Sequence, residues 1–141
     1  MLVRRAVSKD HKELMSLYGD FIETDRFSNL DNDSFQKVIT SKNNFVLVAE
    51  SDSKLIGLIT ASSRLVVRYP IPIAQVDEFY VDPAFRQHSV GRELMKGMED
   101  IVRDNGIQRI YIESGYKHTL GHKFYEKSGY KNEGYYFLKV L

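Results

Sequence analysis

Apolar residues recur along this chain with two different periods. Leu14, Met15, Leu17, Tyr18, Phe21 and Ile22 return at the three- and four-residue spacing of an amphipathic helix of about 14 residues, with Ser8 as its expected N-cap. Ahead of it, Leu2 to Val7 holds strand formers. Glu23 to Ser34 is polar and acid-rich, with Phe27 and Leu30 as isolated apolar points. It reads as a loop or a short second helix continuing through Phe35, Val38 and Ile39. The period then changes. Phe45 to Glu50 and Leu55 to Ala61 are β-rich runs across the short polar step Ser51-Asp52-Ser53-Lys54, which predicts an antiparallel hairpin.

A loop carrying Pro70 and Pro72 leads into a fourth strand, Ala74 to Val81, closed by Asp82-Pro83. Val90, Leu94, Met95, Met98, Ile101 and Val102 then line one face of a helix that stops at Asn105-Gly106. Arg109 to Glu113 is a further strand, and Thr119 is the expected cap of a short helix through Phe124 and Tyr125 that ends at Gly129. Tyr130 to Leu141, with Tyr135, Tyr136, Phe137 and Val140, supplies a final strand or hairpin. No 20- to 50-residue period repeats. The expected class is α/β (α+β): a central mixed sheet, an antiparallel meander first and a parallel crossover after, with flanking helices.

The length of 141 residues suits one domain, residues 1–141. Twenty Lys plus Arg against nineteen Asp plus Glu leave a charge of +1, so no overall basic field draws the chain to nucleic acid or to anionic lipid. No apolar run approaches the roughly 20 residues of a spanning helix, and Met1 to Arg5 lacks a signal-peptide core, so a cytoplasmic location is expected. There is no cysteine, which removes disulfides, Cys-ligated zinc and thiol nucleophiles together. Any acyl chemistry here must run without an acyl-cysteine.

The segment Val81 to Arg92 joins a strand to a helix, where a turn exposes backbone N–H groups at the positive end of the helix dipole. It is a candidate pyrophosphate cradle; the alternative is an ordinary connecting loop. Neither G-x-x-x-x-G-K-[ST] nor G-x-G-x-x-G occurs, so P-loop and dinucleotide fingerprints are unsupported.

Here the chain resembles the GCN5-related N-acetyltransferases. In that family the fourth strand ends in a V-x-P-like step, followed by [QR]-x-x-G-x-[GA] at the start of a long helix whose amides hold the coenzyme A pyrophosphate. Arg86, Ser89 and Gly91 occupy the three marked positions, with Ser89 where the family usually has glycine. Gly121 to Tyr130 is similar to the family's A-x-x-F-Y-x-x-x-G-[FY] step, and lies after the Ile110 to Glu113 strand as it does there. The resemblance implies acetyl-CoA as cosubstrate, contacted by Tyr80, Val81, Arg86, Gln87, His88, Ser89, Val90, Gly91 and Arg92. His118 would be a further contact, where relatives often carry asparagine.

Direct transfer requires a neutral amine, yet an alkyl amine with a pKa near ~10.4 is mostly protonated at neutral pH. By the same resemblance Glu78 is the leading base, with Asp77 and Glu113 in reserve. Strict alternation sets Glu78 and Tyr80 on one face and Asp77, Phe79 and Val81 on the other; a bulge would change that parity. Tyr125 matches the family's general acid, which protonates the departing thiolate, and a backbone N–H near Tyr80 would meet the oxyanion.

His118 and His122 have the i, i+4 spacing of a metal pair, but no third ligand is evident and no metal is expected. The implied acceptor is a small-molecule amine. The acids between Tyr18 and Asp33 suit a cationic amine; Arg64 and Arg68 beside Tyr69 suit an anionic one such as an aminophosphonate or amino acid. The alternative to an enzyme is a non-catalytic acyl-CoA sensor or interaction module. A monomer and a homodimer are both compatible with the sequence.

Overall fold

A computed structural model describes residues 1–21 and 31–141 of the chain. The strands are β1 (Leu2–Arg5), β2 (Asn44–Ser51), β3 (Lys54–Arg64), β4 (Ile73–Val81) and β5 (Ile110–Ile112), and they form one sheet in the order β1-β2-β3-β4-β5. The helices are α1 (His11–Phe21), α2 (Asn32–Thr40), α3 (Val90–Asp104) and α4 (Thr119–Lys127). The chain divides into two compact units, residues 1–111 and 112–141.

The first four strands are a continuous antiparallel meander. β5 begins beside the start of β4, where Ala74 N–H donates to the Arg109 carbonyl (2.9 Å), so the two strands run the same way. The intervening α3 is the crossover that a parallel pair needs. The β2–β3 turn is carried by Asp52 (φ 49°) and Ser53 (φ 61°). Both take the left-handed conformation that matches a two-residue connection to strand twist.

Ser8 does not cap α1. Residues Ser8–Asp10 form a 3-10 turn ahead of the helix, and the Asp10 carboxylate accepts from the Val7 N–H (2.8 Å), while the Ser8 hydroxyl donates to Gln36 (2.7 Å). Asp10 is buried, and Arg4 meets it with two hydrogen bonds (2.7 and 3.0 Å) while also binding Glu50 (2.9 and 2.6 Å). This ties β1, the entry to α1 and β2 together.

Two apolar layers cover the sheet. On one face Leu14 and Leu17 of α1 and Phe35 of α2 pack with Val46, Val48, Leu55, Leu58 and Tyr80. The other face receives α3, whose buried stripe is Val90, Leu94, Met95, Met98 and Val102. Gly97 lets this helix approach Leu47, and Gly57 does the same for Leu94. A Cβ on Gly57 would lie 3.0 Å from the Tyr80 carbonyl and 3.1 Å from Leu94 Cδ1.

In the second unit α4 ends in a Schellman motif: Gly129 (φ 89°) donates to Glu126 and Tyr130 donates to Tyr125, both at 3.0 Å. The final strand expected over Tyr130 to Leu141 is not present; those residues form no regular element. Tyr135 and Phe137 are 93% and 96% exposed. An alternating apolar pattern becomes a strand only when another backbone satisfies its N–H and C=O groups, and among the described residues none does.

Candidate active site

β4, which carries the candidate base, is irregular. Thr60 pairs with Glu78 but Ala61 pairs with Val76, so Asp77 is an extra residue on β4. Thr60, Ser62 and Arg64 alternate along β3 and therefore share a face. Each holds a β4 side chain on that face: Thr60 donates to Glu78 Oε2 (2.7 Å), Ser62 to Asp77 Oδ1 (3.2 Å) and Arg64 to Gln75 Oε1 (3.1 Å). The bulge therefore brings Asp77 to the side of Glu78, against strict alternation, and keeps Ala74 and Val76 buried.

Glu78 has a second donor, which the sequence did not suggest. The Tyr18 hydroxyl, from α1, donates to the same Oε2 at 2.7 Å. Among the described residues Oε1 receives no donor, so one carboxylate oxygen is anchored and the other is available. Burial, followed by the charge of Glu78 and the hydrogen bond to it, pushes the Tyr18 phenol far above its usual range. Tyr18 is thus a permanent donor. Of the acidic stretch expected to meet an acceptor, Glu23, Asp25 and Phe27 lie outside the described residues, while Asp31 caps α2 by accepting from Ser34 N–H (2.8 Å).

The loop between β4 and α3 is built from local hydrogen bonds. Asp82 accepts from Ala84 N–H (2.9 Å), Arg86 Nε donates to the Val81 carbonyl (3.0 Å), and His88 Nδ1 lies 2.9 Å from the Arg86 carbonyl. The Arg86 guanidinium lies 5.8 Å from the ring of Tyr80, a ring that is itself buried in the core. Gln87 (φ 67°) and Ser89 (φ 65°) are both left-handed. Ser89 is the N-cap of α3, yet its hydroxyl makes no capping bond. The first-turn N–H groups of Val90, Gly91 and Arg92 consequently have no side-chain cap from it, and an exposed basic loop of Arg86, His88 and Arg92 surrounds them. This is a donor set suited to a diphosphate. The positive φ at Ser89 is a conformation that glycine adopts more readily than serine.

In the second unit Tyr125 packs edge-on to Phe124 (5.8 Å between centroids) and to Tyr130 (6.3 Å). Burial pushes its phenol above the ordinary tyrosine range. His118 is the exposed N-cap of α4 and its ring lies against Gly115. His122 Nε2 lies 3.1 Å from the Gly115 carbonyl. Among the described residues, no three side chains are grouped to hold a metal ion. Glu113 is exposed.

Comparison with known proteins agrees with this architecture. Aminoalkylphosphonate N-acetyltransferase of Salmonella typhimurium is 22% identical over 139 residues, covering 99% of this chain and 90% of that protein. Among solved structures, an aminoglycoside acetyltransferase from an uncultured soil metagenomic sample superposes with a TM-score of 0.87 at 19% identity, covering 99% of this chain and 95% of that one. AAC(6')-Iy, in complex with a bisubstrate analog of coenzyme A and acetylneamine, gives 0.83 at 17% identity, covering 99% and 97%. The sequence model of the acetyltransferase (GNAT) family matches residues 11–130. With that match running from α1 through β2 to β5, the loop before α3 and the α4 step, the chain belongs to the GNAT family of acetyltransferases.

Proposed function

We propose that this GNAT enzyme transfers an acetyl group from acetyl-CoA directly to the primary amine of a small molecule, with Glu78 as base and Tyr125 as acid. The observation that carries the reading is the Glu78 carboxylate, with Oε2 fixed by Tyr18 and Thr60 and Oε1 without a donor among the described residues. Acetyl-CoA, when bound, supplies the thioester carbonyl that the amine attacks.

The chain's own groups account for the rest. Glu78 Oε1 takes the ammonium proton, directly or through a water, so that the nitrogen lone pair becomes available. Its orientation does not depend on the substrate, because two donors on different elements already hold Oε2. The first-turn amides of Val90, Gly91 and Arg92, with Arg86, Gln87, His88 and Ser89, hold the diphosphate, while Tyr80, Val81 and His118 flank the cosubstrate. Tyr125 gives its phenolic proton to the departing sulfur. Burial raises its pKa above the ordinary tyrosine range, which favours the protonated form that an acid needs. The absence of cysteine accords with one-step transfer.

The relative's action on aminoalkylphosphonates and the neighbours' on aminoglycosides support a small-molecule amine as acceptor. The reading takes residues 1–141 as one cytoplasmic domain, monomeric or homodimeric, with no role in binding nucleic acid. Among the described residues no helix is long and apolar enough to cross a membrane. The test is thiol release from acetyl-CoA with an amine panel. Glu78→Gln should lower release by about 10²–10⁴-fold at neutral pH, leaving a measurable residual rate, and Tyr125→Phe should lower kcat, both with coenzyme binding retained. Undiminished turnover in either variant removes that residue from its role.

A further inference from the structure

The connection between β3 and β4 and the start of β5 gather positive charge that no carboxylate among the described residues pairs with. Tyr69 is fixed there by a turn, its N–H donating to the Val66 carbonyl (3.1 Å). The Arg68 guanidinium lies 5.0 Å from the Tyr69 ring centroid and the Arg109 guanidinium 4.7 Å from the same centroid. The two cations are therefore at most about 10 Å apart. Arg109 is held in register by its carbonyl, which accepts from Ala74 N–H (2.9 Å).

Neither guanidinium has a carboxylate partner: among the described residues, ion pairs are made by Arg4, Lys54 and Arg103. Arg64, nearby on β3, is bound to the neutral Gln75. In a chain of net charge +1, this is a local excess without a paired counter-charge among the described residues. Both side chains are exposed, and although Arg68 gives one hydrogen bond to the Tyr69 phenol, a guanidinium has five N–H donors, so donors remain for a ligand. Two such forks near one ring can each present paired donors to one acceptor group, the arrangement that favours planar or tetrahedral oxyanions.

We propose that Arg68 and Arg109, organised by the ring of Tyr69, form a binding site for an oxyanion: a phosphonate, phosphate or carboxylate. The surroundings act in the same direction. The Tyr69 phenol is held below its usual range, first by a hydrogen bond from Tyr111 and then by the charges of Arg109 and Arg68, as expected where positive potential is not offset. The site does not depend on the base assigned to Glu78. Ala74, beside Arg109, precedes Glu78 by four residues on β4, about 13 Å along an extended strand. An anion here belongs either to an extended acceptor whose amine reaches Glu78, or to a separate small anion.

Calorimetric titration of the full chain with inorganic phosphate and with methylphosphonate, at constant ionic strength, tests the site. Saturable binding is expected, weakened at least tenfold in Arg68→Gln and in Arg109→Gln. It should be unchanged in Arg5→Gln, which removes a lone guanidinium 6.0 Å from the Phe45 ring. Circular dichroism confirms that the exposed substitutions leave the fold intact. Equal phosphate binding by the wild type and both variants, or equal weakening by Arg5→Gln, overturns the proposal. A second arm identifies the source of the anion. Amines carrying a phosphonate at the far end of an extended chain are compared with uncharged analogues. A lower KM for the charged series that disappears in Arg68→Gln at constant kcat assigns the anion to the acceptor. Phosphate binding without that KM advantage assigns it to a free ion. The titration reads binding alone, so a failed base assignment at Glu78 leaves its outcome intact.

Discussion

Replacing Tyr18 with phenylalanine removes one hydroxyl and little else, and the structure says where the effect should appear. Tyr18 and Thr60 both donate to Glu78 Oε2 at 2.7 Å, and neither bond depends on substrate. A hydrogen bond to a charged group contributes about 1.5–3 kcal/mol. Because Thr60 continues to hold the same oxygen, the lower part of that range applies, about 1.5–2 kcal/mol, or roughly a ten- to thirtyfold loss in kcat/KM. Steady-state thiol release measures it. Thr60→Val should cost a similar factor, and the double variant should depart from additivity, since both bonds serve one carboxylate. In a Glu78→Gln background the Tyr18→Phe effect should largely disappear. Stability is a separate readout: urea midpoints distinguish a positioned carboxylate from a loosened α1. Two results would refute the reasoning. One is a folded Tyr18→Phe within twofold of wild-type kcat/KM; the other is an undiminished loss in the Glu78→Gln background.

Other consequences are more local. Ser89 occupies the left-handed region at φ 65°, so Ser89→Gly should relieve about 1 kcal/mol of strain, partly offset by the greater freedom of glycine in the unfolded chain. A small rise in Tm with coenzyme binding retained is expected, and a fall in Tm would contradict it. Gly57→Ala places a Cβ 3.0 Å from the Tyr80 carbonyl and should cost about 1–3 kcal/mol in urea denaturation. A neutral substitution would mean that β3 and β4 separate easily. Burial raises the Asp10 pKa, but the hydrogen bonds from Arg4 and Val7 N–H outweigh this and hold it below the usual carboxylate range. The ionised form is therefore favoured by folding. Its stabilisation is complete above a pH of about 4, the unfolded value, and is lost as pH falls through the native value. The stability gap between wild type and Asp10→Asn should accordingly narrow on acidification below that pH.

Local periodicity was enough to find α3, because its buried positions Val90, Leu94, Met95, Met98 and Val102 all lie on one stripe. The β2–β3 hairpin was equally legible, since a four-residue polar step separated two runs of strand formers. Gly129 marked the end of α4 correctly, as left-handed backbone at a helix terminus favours glycine. What escaped was non-local. Tyr18 and Glu78 stand 60 positions apart, and nothing within either segment indicates that they meet. The grouping of Arg109 with Tyr69 likewise depends on β5 lying beside β4. The α1 cap was misread for a subtler reason: Ser8 has the right chemistry, but Asp10 gains both a backbone donor and Arg4, and two partners prevail over one. At the C-terminus, alternation alone could not supply the pairing that a strand requires.

The extra residue in β4 can be viewed as a phase shift. Side chains on a strand repeat every two residues, so one inserted position would reverse the facing of everything on one side of it unless a bulge absorbs it. Without compensation, the polar face of β4 would offer Glu78 and then the apolar Val76 and Ala74. With Asp77 inserted, Gln75, Asp77 and Glu78 all face the same way, while Val76 and Ala74 remain in the core. Excising Asp77 would yield a regular ladder in which the other side chains keep their present faces. Position 77 thus adds a residue to the polar face of β4 while Val76 and Ala74 stay buried.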